Sequence, residues 1–186
     1  MRKFIAVIVI FTLLLSGCGE ENAGVDQTLV IREKLQQKSC SFHADITADY
    51  GDEIYEFGMD CMVDSIGNLS FTVSSPTAIQ GITGTVSSAG GNLTFDSTVL
   101  AFELLADGQI TPVSAPWILI QTLRAGYIHA STKTENGNKV IIHDSYEEDS
   151  MQLDIWLDTD GLPEAAEILW QGRRIMSLIV NNFNFE

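Results

Sequence analysis

The chain has 186 residues, ten Lys and Arg against 25 Asp and Glu, and a formal net charge of −15. That balance repels nucleic acid and anionic lipid headgroups, so it excludes polyanion binding and membrane attachment by charge. The length, with 45% apolar residues, suits one domain with a real core.

Arg2 and Lys3 precede an apolar run from Phe4 to Leu15. The run is too short for a permanent membrane-spanning helix, which takes roughly 20 residues. A basic start, a short apolar stretch and small residues before a cut describe an export signal. Leu15-Ser16-Gly17-Cys18 resembles the bacterial lipobox, whose Cys carries a thioether-linked diacylglycerol and becomes the new N-terminus. The resemblance implies a signal peptide over 1–17 and a lipidated, palmitate-type anchor on Cys18. The protein is then expected on the extracytoplasmic face of the bacterial cell membrane, held by lipid, because more than one acyl chain is needed for stable attachment. Cleavage removes Arg2 and Lys3, leaving eight basic residues against 25 acidic ones, about −17 in all. Residues 18–24 form the lipidated end and a short polar spacer, and residues 25–186 are expected to be one domain.

Val25 to Lys38 reads as a helix with a partial apolar stripe of Val25, Leu29, Ile31 and Leu35. From Ser39 the period changes to two. Cys40, Phe42, Ala44 and Ile46 alternate with polar residues, and Tyr55, Phe57, Met59 and Cys61 repeat the pattern after Tyr50-Gly51. A two-residue turn at Tyr50-Gly51 sets Ile46 opposite Tyr55, Phe42 opposite Met59 and Cys40 opposite Cys61. Opposed positions lie near the separation a disulfide requires, and export favours its survival, so a Cys40–Cys61 bond worth about 3 kcal/mol is expected. Two buried reduced thiols are the alternative.

Further strands are expected at Leu69–Val73, Ala78–Val86, Asn92–Phe95 and Val99–Leu104, separated by Gly, Pro, Asn and Asp. Ser114-Ala115-Pro116 then opens a second helix, with Ser114 as N-cap and Pro116 in the first turn. Trp117, Ile118, Leu119, Ile120 and Leu123 leave it little polar surface, so it must be covered on most sides. Strands return from Tyr127, near Val140–Asp144, Met151–Leu157, Glu164–Trp170 and Arg173–Val180. The expected fold is α+β: a strongly curved antiparallel sheet of about 10–11 strands, a half-open β-barrel, wrapped around lid or plug helices.

Val73-Ser74-Ser75-Pro76, Ile79-Gln80-Gly81-Ile82 and Gly90-Gly91-Asn92-Leu93-Thr94-Phe95 resemble a recurring passage of the LolA/LolB-like lipoprotein-carrier superfamily. The closing stretch is similar too, with Leu153 to Asp158, Gly161-Leu162-Pro163-Glu164 and a final Asn182-Phe183-Asn184-Phe185. The likeness spans roughly residues 25 to 186 and rests on order and pattern. It implies a half-open barrel with helices lidding its concave face, where members hold acyl chains or other hydrophobic ligands. The chain looks closest to the germination-lipoprotein branch of Gram-positive spore-formers, in which the fold serves protein interaction. A tethered chain cannot shuttle, which favours fixed reception, scaffolding or regulation.

Catalytic constellations are poor, and no enzyme activity or cofactor is expected. His43, His129 and His143 are scattered, with His43 on the polar face of its hairpin. Asp158-Thr159-Asp160-Gly161 starts like a calcium loop, but Pro163 and Leu169 occupy its Gly and Glu positions, so it reads as a turn and no metal site is expected. Glu147-Glu148-Asp149 reads as a solvated tip. A hydrophobic cavity would be lined by Trp117, Ile118, Ile120 and Leu123, with Phe42, Phe57, Phe71, Phe95 and Phe102 opposite; the same residues equally compose a filled core. The first function to expect is a membrane-anchored lipoprotein binding a lipid or lipoprotein acyl chain in that cavity. The alternative is a non-enzymatic envelope protein, for example in spore germination, that binds or regulates a protein partner without a small ligand.

Overall fold

The computed structural model describes residues 23–87, 94–95, 105–106, 110–147 and 150–186. The signal peptide, Cys18, the expected strand Val99–Leu104, Phe102, the Phe95 side chain, Glu148 and Asp149 lie outside the described residues.

Helix α1 spans Ala23–Gln37 and buries Gly24, Thr28, Ile31 and Leu35. Their spacing of four, three and four places them on one helix face. This differs from the expected stripe: Leu29 is 50% exposed, and Gly24 belongs to the helix instead of a spacer. Gly24 explains the change, because a Cβ there would stand 2.2 Å from Ser131 Oγ and 3.0 Å from Asn138 Cβ. Only a residue without a side chain lets the helix lie this close to the sheet.

Five strands follow: β1 (Cys40–Asp49), β2 (Ile54–Val63), β3 (Leu69–Ser75), β4 (Thr83–Val86) and β5 (Thr94–Phe95). A 3₁₀ turn, Pro112–Ser114, leads into α2 (Ala115–Ala125). Then come β6 (Tyr127–Thr134), β7 (Gly137–His143), β8 (Gln152–Leu157), β9 (Pro163–Trp170) and β10 (Arg173–Phe185). All pair antiparallel in one ten-stranded sheet of order β5-β4-β3-β2-β1-β10-β9-β8-β7-β6. Among the described residues the sheet is therefore two five-strand meanders joined where β1 meets β10, with β5 and β6 as its edges. The expected α+β half-open barrel of about ten strands is the observed fold. Its curl has a local cause: the ladders β1–β10, β2–β3, β6–β7, β8–β9 and β9–β10 each contain a register shift. Such bulges bend and over-twist a strand.

Three local expectations are corrected. The β1–β2 pairs are Cys40↔Val63, Phe42↔Cys61 and Ile46↔Phe57, so Cys40 and Cys61 are diagonal neighbours, both free and both buried. The turn is a four-residue loop, Tyr50 to Glu53, closed by Tyr50 N–H donating to Glu53 O at 3.0 Å, and this moves every partner by two. Of the expected Ala78–Val86 strand only Thr83–Val86 forms the regular strand β4; before it Ile79 N–H bonds back to Pro76 O, Gly81 turns the chain at φ +85°, and Gly81 and Ile82 reach β3 only through hydrogen bonds to Val73. Ser114 does not cap α2 through its side chain; its hydroxyl donates backward to Thr111 O at 2.6 Å.

α2 lies against the inner face of the sheet. Leu119, Ile120 and Leu123 have no exposed surface, nor do Ala44, Met59, Val73, Ile142, Leu153 and Ile155 of the strands. These residues belong to one continuous core.

Candidate functional site

The two helices are tied to each other at their C-terminal ends. Arg32 of α1 donates from Nε to Leu123 O at 2.8 Å and from Nη2 to Gly126 O at 2.7 Å. Arg124 of α2 returns the contact by donating to Leu35 O. Each guanidinium thus satisfies carbonyls that a helix end leaves without an internal partner. Burial lowers the Arg32 pKa from its ordinary value.

Beneath this clasp lie the side chains expected around a cavity. Ile120 and Leu123 are at 0% exposure, Ile118 at 7%, and Phe42, Phe57 and Phe71 at 3–4%. A side chain with no accessible surface touches neither solvent nor a void that admits water, so Ile120 and Leu123 are enclosed by protein. Trp117 is half-buried against the same core. Its ring borders a small recess of about 290 Å³ with Gln121, Asp144 and Met151, and its indole N–H is buried without a partner.

The three histidines fall into two places. His43 sits on the outer face between two carboxylates, Nδ1 at 2.7 Å from Asp60 Oδ1 and Nε2 at 3.2 Å from Asp45 Oδ1. The Asp60 hydrogen bond, aided by Asp45, raises its pKa against an opposing effect of burial. The other two meet at the β6–β7 end of the sheet. His129 and His143 rings pack edge to face at 5.1 Å, and Tyr127 and Tyr146 rings stand 3.7 Å apart, tilted by 40°. These four rings, with Arg32 and Glu147, border an open cleft of about 510 Å³. Tyr146 is 83% exposed and Tyr127 41%.

Sequence reasoning did not find this cluster. The β6–β7 ladder slips one residue between Ile128 and Ala130, and the slip sets Tyr127 opposite His143. The turn at Asn136-Gly137 was a usable signal, but the bulge at His129 was not. The Asp158 segment is a turn: Asp158 Oδ1 accepts from the backbone of Asp160 at 2.9 Å and of Leu162 at 2.8 Å. Among the described residues no group of three His, Cys, Asp or Glu is arranged to hold a metal ion. The Cys40 thiol is pushed up to about 12 by burial, and burial raises Cys61 as well, so neither is a poised nucleophile.

No protein-family model and no curated protein matches the chain. Several solved structures are similar to it in fold. An uncharacterized conserved protein from Thermus thermophilus is 13% identical over 87% of each chain, with a TM-score of 0.45. A LolA superfamily protein from Nitrosomonas europaea is 9% identical, over 86% of this chain and 93% of that one, with a TM-score of 0.38. The MucA/MucB complex of Pseudomonas aeruginosa is 12% identical, over 87% of this chain and 56% of that one, with a TM-score of 0.43. At such identities and scores the likeness assigns no activity to this chain.

Proposed function

We propose that this protein is a lipid-anchored, non-enzymatic envelope protein that binds a protein partner through the aromatic cleft at edge strand β6. The observation that carries it is the ring cluster of Tyr127 and His129 on edge strand β6 with His143 at the end of β7 and Tyr146 just beyond it, largely open to solvent. Tyr is among the residues enriched at interfaces, since its ring gives large contact area at a small entropy cost while its hydroxyl finds a polar partner. The interior supports the same choice over acyl-chain carriage. A fatty chain entering between α2 and the sheet would have to displace Leu119, Ile120 and Leu123, which are fully enclosed. With the tether at Cys18, the chain holds its partner at the membrane and does not travel with it.

A photo-reactive residue at position 146, in the full lipid-anchored chain in cells, tests this. One protein adduct is expected, weakened at least tenfold by Tyr127→Ala. Adducts to lipid alone, or none at all, would overturn the reading. Cys18→Ser is expected to abolish palmitate labelling and release the chain from the membrane fraction.

A further inference from the structure

The outer face of the sheet carries a groove of about 870 Å³ across β10, β1, β2, β3 and β4. Register lines up the side chains of this face in two rows. One runs Asn184, Ser41, Met62, Ser70, Thr85, and the next runs Asn181, His43, Asp60, Thr72, Thr83. Strands stand about 4.8 Å apart and the rows are two residues apart, so five strands give a grid roughly 19 Å long and 7 Å wide. The β1–β10 bulge, with Asn182 at φ +56°, shapes the β10 end, which Asn182 and Asn184 line.

The chemistry of the grid is unusual for this molecule. In a chain of net charge −15, its ten positions include no Lys, Arg or Glu. The two ionisable members, His43 and Asp60, are hydrogen-bonded to each other at 2.7 Å. Seven of the other eight are hydroxyls and amides, which both donate and accept, on short side chains that lose little rotamer freedom when bound. Met62, 55% exposed in the middle of one row, supplies an apolar platform. Asp60 keeps acceptor sites for charge-assisted hydrogen bonds.

Each kind of ligand asks something different of such a surface. A phosphate or nucleic acid needs Arg or Lys, which are lacking. A protein interface is enriched in aromatic residues and Arg and depleted in Ser. An acyl chain needs apolar walls. A neutral polyhydroxylated chain needs closely spaced groups that donate and accept in turn, with an apolar contact for its C–H faces. The groove volume falls within the few hundred to roughly 1,000 Å³ common for small-ligand sites.

We propose that this groove is a binding site for a neutral oligosaccharide. The site runs from β10 across β1–β4, away from the β6 cleft, so it stands or falls independently of the protein-partner reading.

The test uses the full chain in phosphatidylcholine nanodiscs, titrated calorimetrically with cellotetraose and tetra-N-acetylchitotetraose, both uncharged. Saturable binding of at least one tetrasaccharide is expected, with an affinity that does not change between low and high salt. The double variant Thr72→Val with Thr83→Val keeps the β-branched shape and removes two hydroxyls. It should weaken binding at least tenfold with an unchanged circular dichroism spectrum. Tyr146→Ala should leave oligosaccharide binding unaltered. Absence of saturable binding of both sugars, or binding that the Thr72/Thr83 variant leaves intact, would overturn the proposal. Lost binding in Tyr146→Ala would move the site to the β6 cleft and overturn it equally.

Discussion

The two meanders share one sheet and one inner face but differ in what they show outside. In β6–β10 the outer face is built from charges and rings. Lys139 Nζ bonds Asp154 Oδ2 at 2.6 Å while lying over the Trp156 ring at 4.7 Å, and Arg174 pairs with Glu167 at 2.7 Å. In β1–β4 the same face carries many hydroxyls, and its ion pairs are those of His43 and, at the far end of β1, Asp49 with Arg173. Strand alternation lets these patterns diverge without touching the core, because neighbouring residues point to opposite sides. The inner face settles the shape of this protein, and the outer faces are left to distinguish its two surfaces.

The meanders also differ in how tightly backbone meets backbone, and substitution exposes this. Gly137 opens β7 at φ +153°, and a Cβ there would stand 2.0 Å from Leu157 O of β8. Gly137→Ala should destabilise by about 3–5 kcal/mol in urea denaturation, since a carbonyl of a paired strand cannot step aside. In the first meander, a Cβ at Gly84 would meet the Phe71 ring at 2.6 Å, a side chain that can turn, so Gly84→Ala should cost about 1–3 kcal/mol. A larger loss at Gly84 would reverse the ranking of the two halves.

Leu119 of α2, fully buried, touches the core that both halves share. Leu119→Ala should cost about 2–5 kcal/mol in a single transition. Two separated transitions would show that the meanders are independent units. The smallest effect belongs to the first meander alone. Because Asp60 and Asp45 raise the His43 pKa, its pairing stabilises the fold below the unfolded value of about 6.5 and fades as pH rises through the higher folded value. Wild type should exceed His43→Gln by under about 1 kcal/mol near pH 5.5, and the gap should vanish by about pH 9. An undiminished gap at high pH would remove charge as the cause.

Much of this was legible from residue order. The faces of β1 and β2 followed from alternation, and the enclosed α2 from its run of Ile and Leu. The first hairpin shows where such reading stops. Its four-residue loop shifted each pair by two, which leaves every side chain on the expected face yet gives it a different partner. The buried cysteines kept their face and lost their pairing for that reason. The β6 cleft was hidden by the His129 bulge and by Arg32, which arrives from a helix nearly a hundred residues away. The hydroxyl grid was hidden differently: it needs four strand registers at once, and each Ser or Thr alone reads as ordinary surface.

The join between β1 and β10 has a consequence for how the chain is made. Within each meander, strands pair with sequence neighbours, but Cys40 pairs with Phe185, and Ser39 O accepts from Glu186 N–H at 3.0 Å. Contacts so distant in sequence form slowly, after local hairpins. Strand β10 is therefore the keystone of the arch. Until it pairs with β1, the molecule has two unfastened wings, each held only by its own local hairpins.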